Sequence, residues 1–262
     1  MDYKSAVYLW NGKMIFFRNS IFTEEHTHLA MQICLGLEDN VKIYDKEKNK
    51  YEGRIIIIDS NTPHIVKAEN QKNVFIFIEP TLLIARRIKE YYSLHKNIYS
   101  LDHNKYRIFL DKFLNIYGEF ISYNSIYKIL EELLESISQE KKRIIPMDYR
   151  IKKVLKFLDD ENSNFTSRDL SDIANLSESR FFHLFKSQLG IPVRKYILWR
   201  RLIKSIHYIS QGKSLTDSAM ESGFSDVAHF NRTFKNMFGI TPTDVLRNFG
   251  NQASVSIHIC EK

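Results

Sequence analysis

The sequence predicts an α+β chain. A small antiparallel β domain, sandwich or barrel, is followed by a helical stretch and then by an all-α domain of two tandem helix-turn-helix units joined by a long helix. Three observations carry this reading. The pattern Phe-x-x-x-Phe-Lys-x-x-x-Gly-Ile occurs twice, from Phe181 to Ile191 and from Phe230 to Ile240, at an offset of 49 residues. Short alternating or β-branched apolar runs fill residues 1–80, and the apolar period changes to three-and-four after Pro80. At 262 residues and 44% hydrophobic, the chain is long enough to bury two cores.

The N-terminal part, residues 1–80, offers five strands at 13–17, 31–37, 41–44, 54–58 and 73–78, each bounded by Asn, Asp, Gly or Lys. Residues 81–138 form a helical region. Leu82, Leu83, Arg86, Ile88 and Tyr91 open it, 106–120 continue it and 125–138 close it. In the last helix Ile126, Ile129, Leu130, Leu133, Leu134 and Ile137 form one wide stripe. Such a stripe packs either on the chain's own β domain or against its twin across a twofold axis; its length and its place before a linker favour dimerisation. Residues 139–147, with Glu140, Lys141, Lys142, Arg143 and Pro146, read as that linker.

The C-terminal unit, 148–250, opens with a helix over 148–159 whose buried face is Ile151, Val154, Leu155 and Leu158. Thr166 with Asp169 is a capping box for a second helix that turns Leu170 and Ile173 inward. Asn175 suits the left-handed position of a tight turn, and Ser177 is placed to cap the third helix. In that helix, 177–189, Phe181, Leu184, Phe185 and Gln188 share one side. Ser179, His183 and Lys186 fall opposite, with Arg180 and Phe182 on the flanks. Gly190 ends it, and Pro192 takes the first position of a connecting helix. Trp199, Leu202, Ile203, Ile206 and Ile209 make that helix's buried stripe, while Arg194, Lys195, Arg200, Arg201 and Lys204 decorate it. Eighteen residues span about 27 Å, enough with the flanking turns to hold two recognition helices one turn of B-DNA apart.

The second unit repeats the logic. Ser214 and Asp217 start a helix, Gly223 makes the turn, Ser225 caps, and Val227, Phe230, Phe234, Met237 and Phe238 form the core stripe of helix 226–238. Ala228, Arg232 and Lys235 point outward, with His229 and Asn231 beside them. Arg232 is the strongest base-reading candidate, because a guanidinium engages guanine O6 and N7 together. Lys186 and Lys235, later in their helices, suit phosphates. The outward positions match in pairs: 179 with 228, 183 with 232, 186 with 235. Thr241-Pro242-Thr243-Asp244 begins a closing helix, and in the tail, 251–262, Val255, Ile257 and Ile259 alternate like a strand.

Charge agrees with an anionic partner. The net charge is +7, and from residue 147 onward 17 Lys+Arg face 12 Asp+Glu, leaving 21 against 19 before it. Two cysteines at opposite ends exclude a disulfide framework, no secretory pattern opens the chain, and Ile55 to Ile58 is too short to span a bilayer, so a cytoplasmic protein without a membrane partner is expected. No Ser/His/Asp constellation or phosphate loop is present, so no catalytic residue is assigned.

On these residues the C-terminal part resembles the AraC/XylS family of transcriptional regulators. The stretch from Leu176-Ser177 through Phe185-Lys186 to Gly190 is similar to the family's first recognition helix. Gly223-Phe224-Ser225-Asp226 through Phe234-Lys235 to Gly239-Ile240-Thr241-Pro242 is similar to its signature. Ser171, Ser218 and Ser222 depart from positions usually apolar or Ala, and Phe182-His183 from a small polar residue and Arg. The N-terminal part is similar to cupin-like sensor domains through His26-Thr27-His28, Gln32, Gly53 and Asn61-Thr62-Pro63-His64. The resemblance implies a homodimeric regulator, activator or repressor, of double-stranded promoter DNA, with RNA polymerase as a further partner and a small-molecule effector at the N-terminal domain. It implies no obligate cofactor; His26, His28, Gln32 and His64 are candidate effector or divalent-metal ligands, although Gln32 replaces the usual carboxylate. The alternative is a cupin-type metalloenzyme, an isomerase or dioxygenase, working at His26, His28 and His64.

Overall fold

The computed structural model describes residues 6–119, 122–138, 146–160, 165–243 and 257–259. Strands β1 (Ala6–Trp10), β2 (Lys13–Phe22), β3 (Met31–Gly36), β4 (Val41–Asp45), β5 (Lys50–Gly53), β6 (Ile55–Ile58) and β7 (His64–Ile78) come first. Helix α1 (Leu83–Tyr91), β8 (Ile98–Ser100), a 3-10 turn (His103–Tyr106), α2 (Arg107–Ile116) and α3 (Tyr123–Ser138) follow. The sheet runs β8-β6-β3-β7-β2-β1, and a short strand β9 (Ile257–Ile259) adds to β1 in parallel. Strand β7 is the spine, antiparallel to β2, β3 and β4 along its 15 residues.

Period two divides this sheet between two cores. Tyr8, Ile15, Phe17, Ile33, Leu35, Ile55, Ile57 and Ile76 face α1, α2 and α3, whereas Val7, Met14, Phe16, Cys34, Ile56, Ile58, Phe75 and Phe77 belong to a cluster continuous with the C-terminal domain. Because both faces are covered, Ile55 to Ile58 are all fully buried, which is why that run shows no alternation in sequence.

Three corrections to the sequence reading follow. β1, β5 and β8 were not anticipated, being short or polar, and β8 extends the sheet past residue 80. The stripe on α3 is not a free dimerisation face: Ile126, Leu130, Leu133, Leu134 and Ile137 are buried within the single chain, and half-buried Ile129 packs against the same cluster. The tail strand has a partner after all, in β1; Val255 lies outside the described residues, as does most of the linker. Tyr123 ties α3 to the sheet by donating its hydroxyl to Leu9 O at 2.6 Å, and its ring lies 4.8 Å from that of Trp10.

The C-terminal domain consists of α4 (Tyr149–Asp160), α5 (Ser167–Ile173), α6 (Glu178–Leu189), α7 (Val193–Ser210), α8 (Leu215–Glu221) and α9 (Val227–Phe238). Thr166 and Asp169 close a reciprocal capping box on α5, and Ser214 accepts from the Asp217 amide on α8. Ser177 occupies the N-cap position of α6 without a side-chain hydrogen bond. Asp226, not Ser225, caps α9: its carboxylate accepts from the His229 amide at 2.6 Å and from the Ser225 hydroxyl at 2.9 Å. A charged acceptor outcompetes a hydroxyl at a helix N-terminus. Pro192 is the N-cap of α7, one position earlier than expected. Asn175, Gly223, Gly190 and Gly239 all take positive φ, at 52°, 87°, 74° and 69°. Of the three departing serines, Ser171 and Ser222 return their hydroxyls to backbone carbonyls within the helix, and the buried Ser218 hydroxyl has no hydrogen-bond partner.

Candidate nucleic-acid interface and the joint with the N-terminal domain

Helix α6 is built by its apolar side. Phe181, Phe185 and Leu189 are buried, which turns Ser179, Arg180, His183 and Lys186 to solvent. Phe182 is half-buried, its ring 5.7 Å from Phe181, and so belongs more to the core than to a groove-facing row. In α9 the burial of Phe230, Phe234, Met237 and Phe238 leaves Ala228 and Arg232 exposed at positions equivalent to 179 and 183. His229 is half-buried against Phe224, 5.4 Å between rings, and Ser225 lies 3.2 Å from its Nδ1. Asn231 is half-buried, and its Oδ1 is buried without a hydrogen-bond partner. Among the predicted contacts, then, six stand open to a ligand and four are partly held by the protein.

Lys235 is held by the N-terminal domain. Its ammonium lies 2.8 Å from Glu24, an ion pair with both side chains substantially exposed. Pairs of that kind contribute about 0–1 kcal/mol and exchange readily for a phosphate. The last turn of α9 is tied more firmly. The Thr27 amide donates to Asn236 O and the Glu24 amide to Gly239 O, both at 3.1 Å, supplying donors to carbonyls that a helix end leaves unsatisfied. Phe238 stacks edge-on against Phe77 at 5.6 Å. Elsewhere along the joint, buried Tyr196 of α7 donates to Glu79 at 2.6 Å. Nothing local in the sequence announces either connection, since each joins residues more than 100 positions apart.

Between the domains lies a cavity of about 750 Å³. One wall is the β1–β2 turn, with Trp10, Gly12, Lys13 and Met14; the other is α7 and the end of α8. Arg200, Arg201, Lys204 and His207, read from sequence as surface decoration, line this cavity together with Trp199, Ile203 and Phe165.

The four N-terminal candidates come together and are all buried: His26, His28, Gln32 and His64. Each imidazole is anchored through Nδ1 to a backbone carbonyl, His26 to Glu24 at 2.9 Å, His28 to Ala30 at 2.7 Å and His64 to Thr62 at 2.8 Å. Gln32 Oε1 lies 2.7 Å from Nε2 of His28 and 3.2 Å from Nε2 of His64. Burial, with the neighbouring His28 second, pushes His26 down to about 3. Burial likewise lowers His28, and it lowers His64 well below the ordinary imidazole range. All three rings are therefore neutral at neutral pH. Burial raises the Cys34 thiol, which accepts from the Gln32 amide at 3.2 Å and is unreactive as a nucleophile.

Two exposed helices with matching faces, carried by a pair of helix-turn-helix units, define a DNA-binding protein. The comparisons agree. Residues 170–248 match the helix-turn-helix domain family model. The chain is 24% identical over 228 residues to the probable transcriptional regulator LumQ of Photobacterium leiognathi, covering 83% of this chain and 90% of that one. It is 30% identical over 138 residues to the arabinose operon regulatory protein of Escherichia coli K12, covering 49% of this chain and 44% of that one. The crystal structure of ToxT from Vibrio cholerae O395 superposes with a TM-score of 0.58 at 16% identity, over 91% of this chain and 98% of ToxT, a likeness of fold. The chain belongs to the AraC/XylS family of transcriptional regulators and is not an enzyme. No helix among the described residues is long and apolar enough to cross a membrane.

Proposed function

We propose that the protein reads promoter DNA by laying α6 and α9 in successive major grooves, with Ser179, Arg180, His183 and Lys186 in one and Ala228 and Arg232 in the next. The observation that carries this reading is the equivalence of the exposed positions in two helices related by a 49-residue repeat. Arg232 has an exposed guanidinium on a helix whose N-terminal half is free of the N-terminal domain. Arg232→Ala should weaken binding to the cognate site by about 1–3 kcal/mol and relax preference at one base pair, with the fold intact. Competition titrations against single-base variants of the site measure this, and unchanged selectivity would remove Arg232 from the reading set. Affinity should also fall steeply with salt, through counterion release.

The effector we assign is an apolar molecule with one carboxylate, seated in the interdomain cavity. Its apolar wall suits a hydrocarbon body, and Arg200, Arg201 and Lys204 supply cationic groups for an acid. ToxT, similar in fold, has been crystallised with an unsaturated fatty acid. A ligand there touches both domains and so biases their relative placement, the requirement for control of DNA affinity. A long-chain monocarboxylate should change the affinity for promoter DNA where the corresponding alcohol does not; equal effects would discard the acid as the effector class.

A further inference from the structure

The buried histidine cluster carries an electrostatic contradiction that an ion resolves. A backbone carbonyl only accepts, so the three Nδ1 contacts, to Glu24, Ala30 and Thr62, place a proton on Nδ1 of each ring. A neutral imidazole so protonated has a bare lone pair on Nε2. Two of those lone pairs, on His28 and His64, are directed at the amide oxygen of Gln32, at 2.7 and 3.2 Å, while the amide nitrogen of Gln32 is turned away toward Cys34. Three acceptors therefore converge with no proton among them. The third ring, His26, stands 4.1 Å centroid to centroid from His64, and one ring nitrogen from each histidine lies within 4.8 Å of the others.

We infer that His26, His28 and His64, with Gln32 Oε1, bind one divalent transition-metal ion, and that the segment from Thr23 to His28 transmits its occupancy to α9. Imidazole and amide oxygen are borderline-to-hard donors, suited to Zn²⁺, Co²⁺, Fe²⁺ or Ni²⁺ and poorly to Mg²⁺ or Ca²⁺. Two nitrogens on one ion at about 2.1 Å each stand no more than about 4.2 Å apart, so closing the cluster takes ring shifts of a few tenths of an ångström. The carbonyls on Nδ1 already supply the outer hydrogen bonds that fix ring orientation around an ion. In the metal-free protein the contradiction is relieved by reversing the Gln32 amide, so that its NH₂ donates to the two rings and the Cys34 thiol donates to its oxygen.

The link to DNA reading is one short segment with two sides. His26 and His28 project inward to the cluster, while the intervening Thr27 amide and the Glu24 amide hold Asn236 O and Gly239 O at the end of α9. Gly239 lies against the His26 anchor itself: a Cβ built there would fall 2.7 Å from His26 Nδ1 and 2.8 Å from Glu24 O. A shift of His26 toward an ion is therefore felt first at the C-terminal end of the second recognition helix.

The test uses the full chain, stripped with a chelator, dialysed and titrated with Co²⁺. Expected are one equivalent bound with visible ligand-field absorption and an X-ray absorption shell of three imidazoles. His28→Gln and His64→Gln should weaken binding by more than about 100-fold, and Cys34→Ser should leave it unchanged. Each variant is checked for cooperative thermal unfolding, and the wild-type absorption shell decides the matter should a variant fail to fold. A folded wild type that binds no Co²⁺, or a shell without imidazole, overturns the site. Co²⁺ should also alter hydrogen exchange in residues 23–28 and 236–240 but not in α6; binding without that change overturns the transmission. Affinity for promoter DNA, measured on the same samples, stands or falls separately, so failure here is distinguishable from failure of the DNA-reading assignment.

Discussion

Gly239→Ala should destabilise the protein by about 3 kcal/mol, whereas the same change at Gly190, its counterpart 49 residues earlier, should cost only about 1 kcal/mol. The two glycines have almost the same backbone conformation, φ of 69° and 74°, each ending a recognition helix in the left-handed region. The conformational penalty of adding a Cβ is thus common to both. The surroundings differ. Nothing lies within 4 Å of a Cβ at Gly190, whereas at Gly239 it would meet Thr23 Cβ at 2.6 Å, His26 Nδ1 at 2.7 Å and Glu24 O at 2.8 Å. Backbone and a doubly anchored ring cannot turn aside, so the N-terminal domain has to retreat from α9. Denaturant midpoints for the two variants measure the difference, and limited proteolysis reports the loosened joint. Equal losses within about 0.5 kcal/mol would mean that α9 is not docked on residues 23–26 in solution.

Leu133→Ala should lower stability by about 2–5 kcal/mol, with a midpoint independent of protein concentration. Leu133 is wholly buried, together with Leu130, Leu134 and Ile137, in the cluster that joins α3 to Ile33, Leu35, Ile55 and Ile57 of the sheet. Truncating it leaves a cavity in the chain's own core. Were the stripe instead shared between two subunits, the loss would scale with dissociation and the midpoint would move with concentration. Unfolding curves over a hundredfold range of protein concentration separate the two cases.

Much of the C-terminal domain was legible because its information is local. The Thr166–Asp169 box, the Ser214 cap, Asn175 and Gly223 at the turns, and Gly190 and Gly239 at the helix ends each follow from residues within one or two turns. The misplaced cap at Ser225 was a local contest between adjacent groups, won by the Asp226 carboxylate. The N-terminal sheet was legible only where apolar runs are long. β5, Lys-Tyr-Glu-Gly, has no buried residue to mark it, and β8 is three residues that exist as a strand only because β6 offers an edge. Of the proposed contact residues, sequence periodicity pointed Arg232 and His183 outward, but it carried no sign that Lys235 meets Glu24 or that Asn231 buries its amide oxygen.

By itself, then, the order of amino acids determined two helix-turn-helix units, their buried aromatic sides and the faces left for DNA, because hydrophobic period, caps and left-handed glycines act over a few residues. Only the tertiary structure decided what covers the α3 stripe, that three distant histidines share one buried point, and that the end of the second recognition helix rests on the segment bearing two of them. Those outcomes depend on which surfaces meet after the chain has folded. A stripe of leucines satisfies its own sheet or a twin equally well, and no local pattern distinguishes the two.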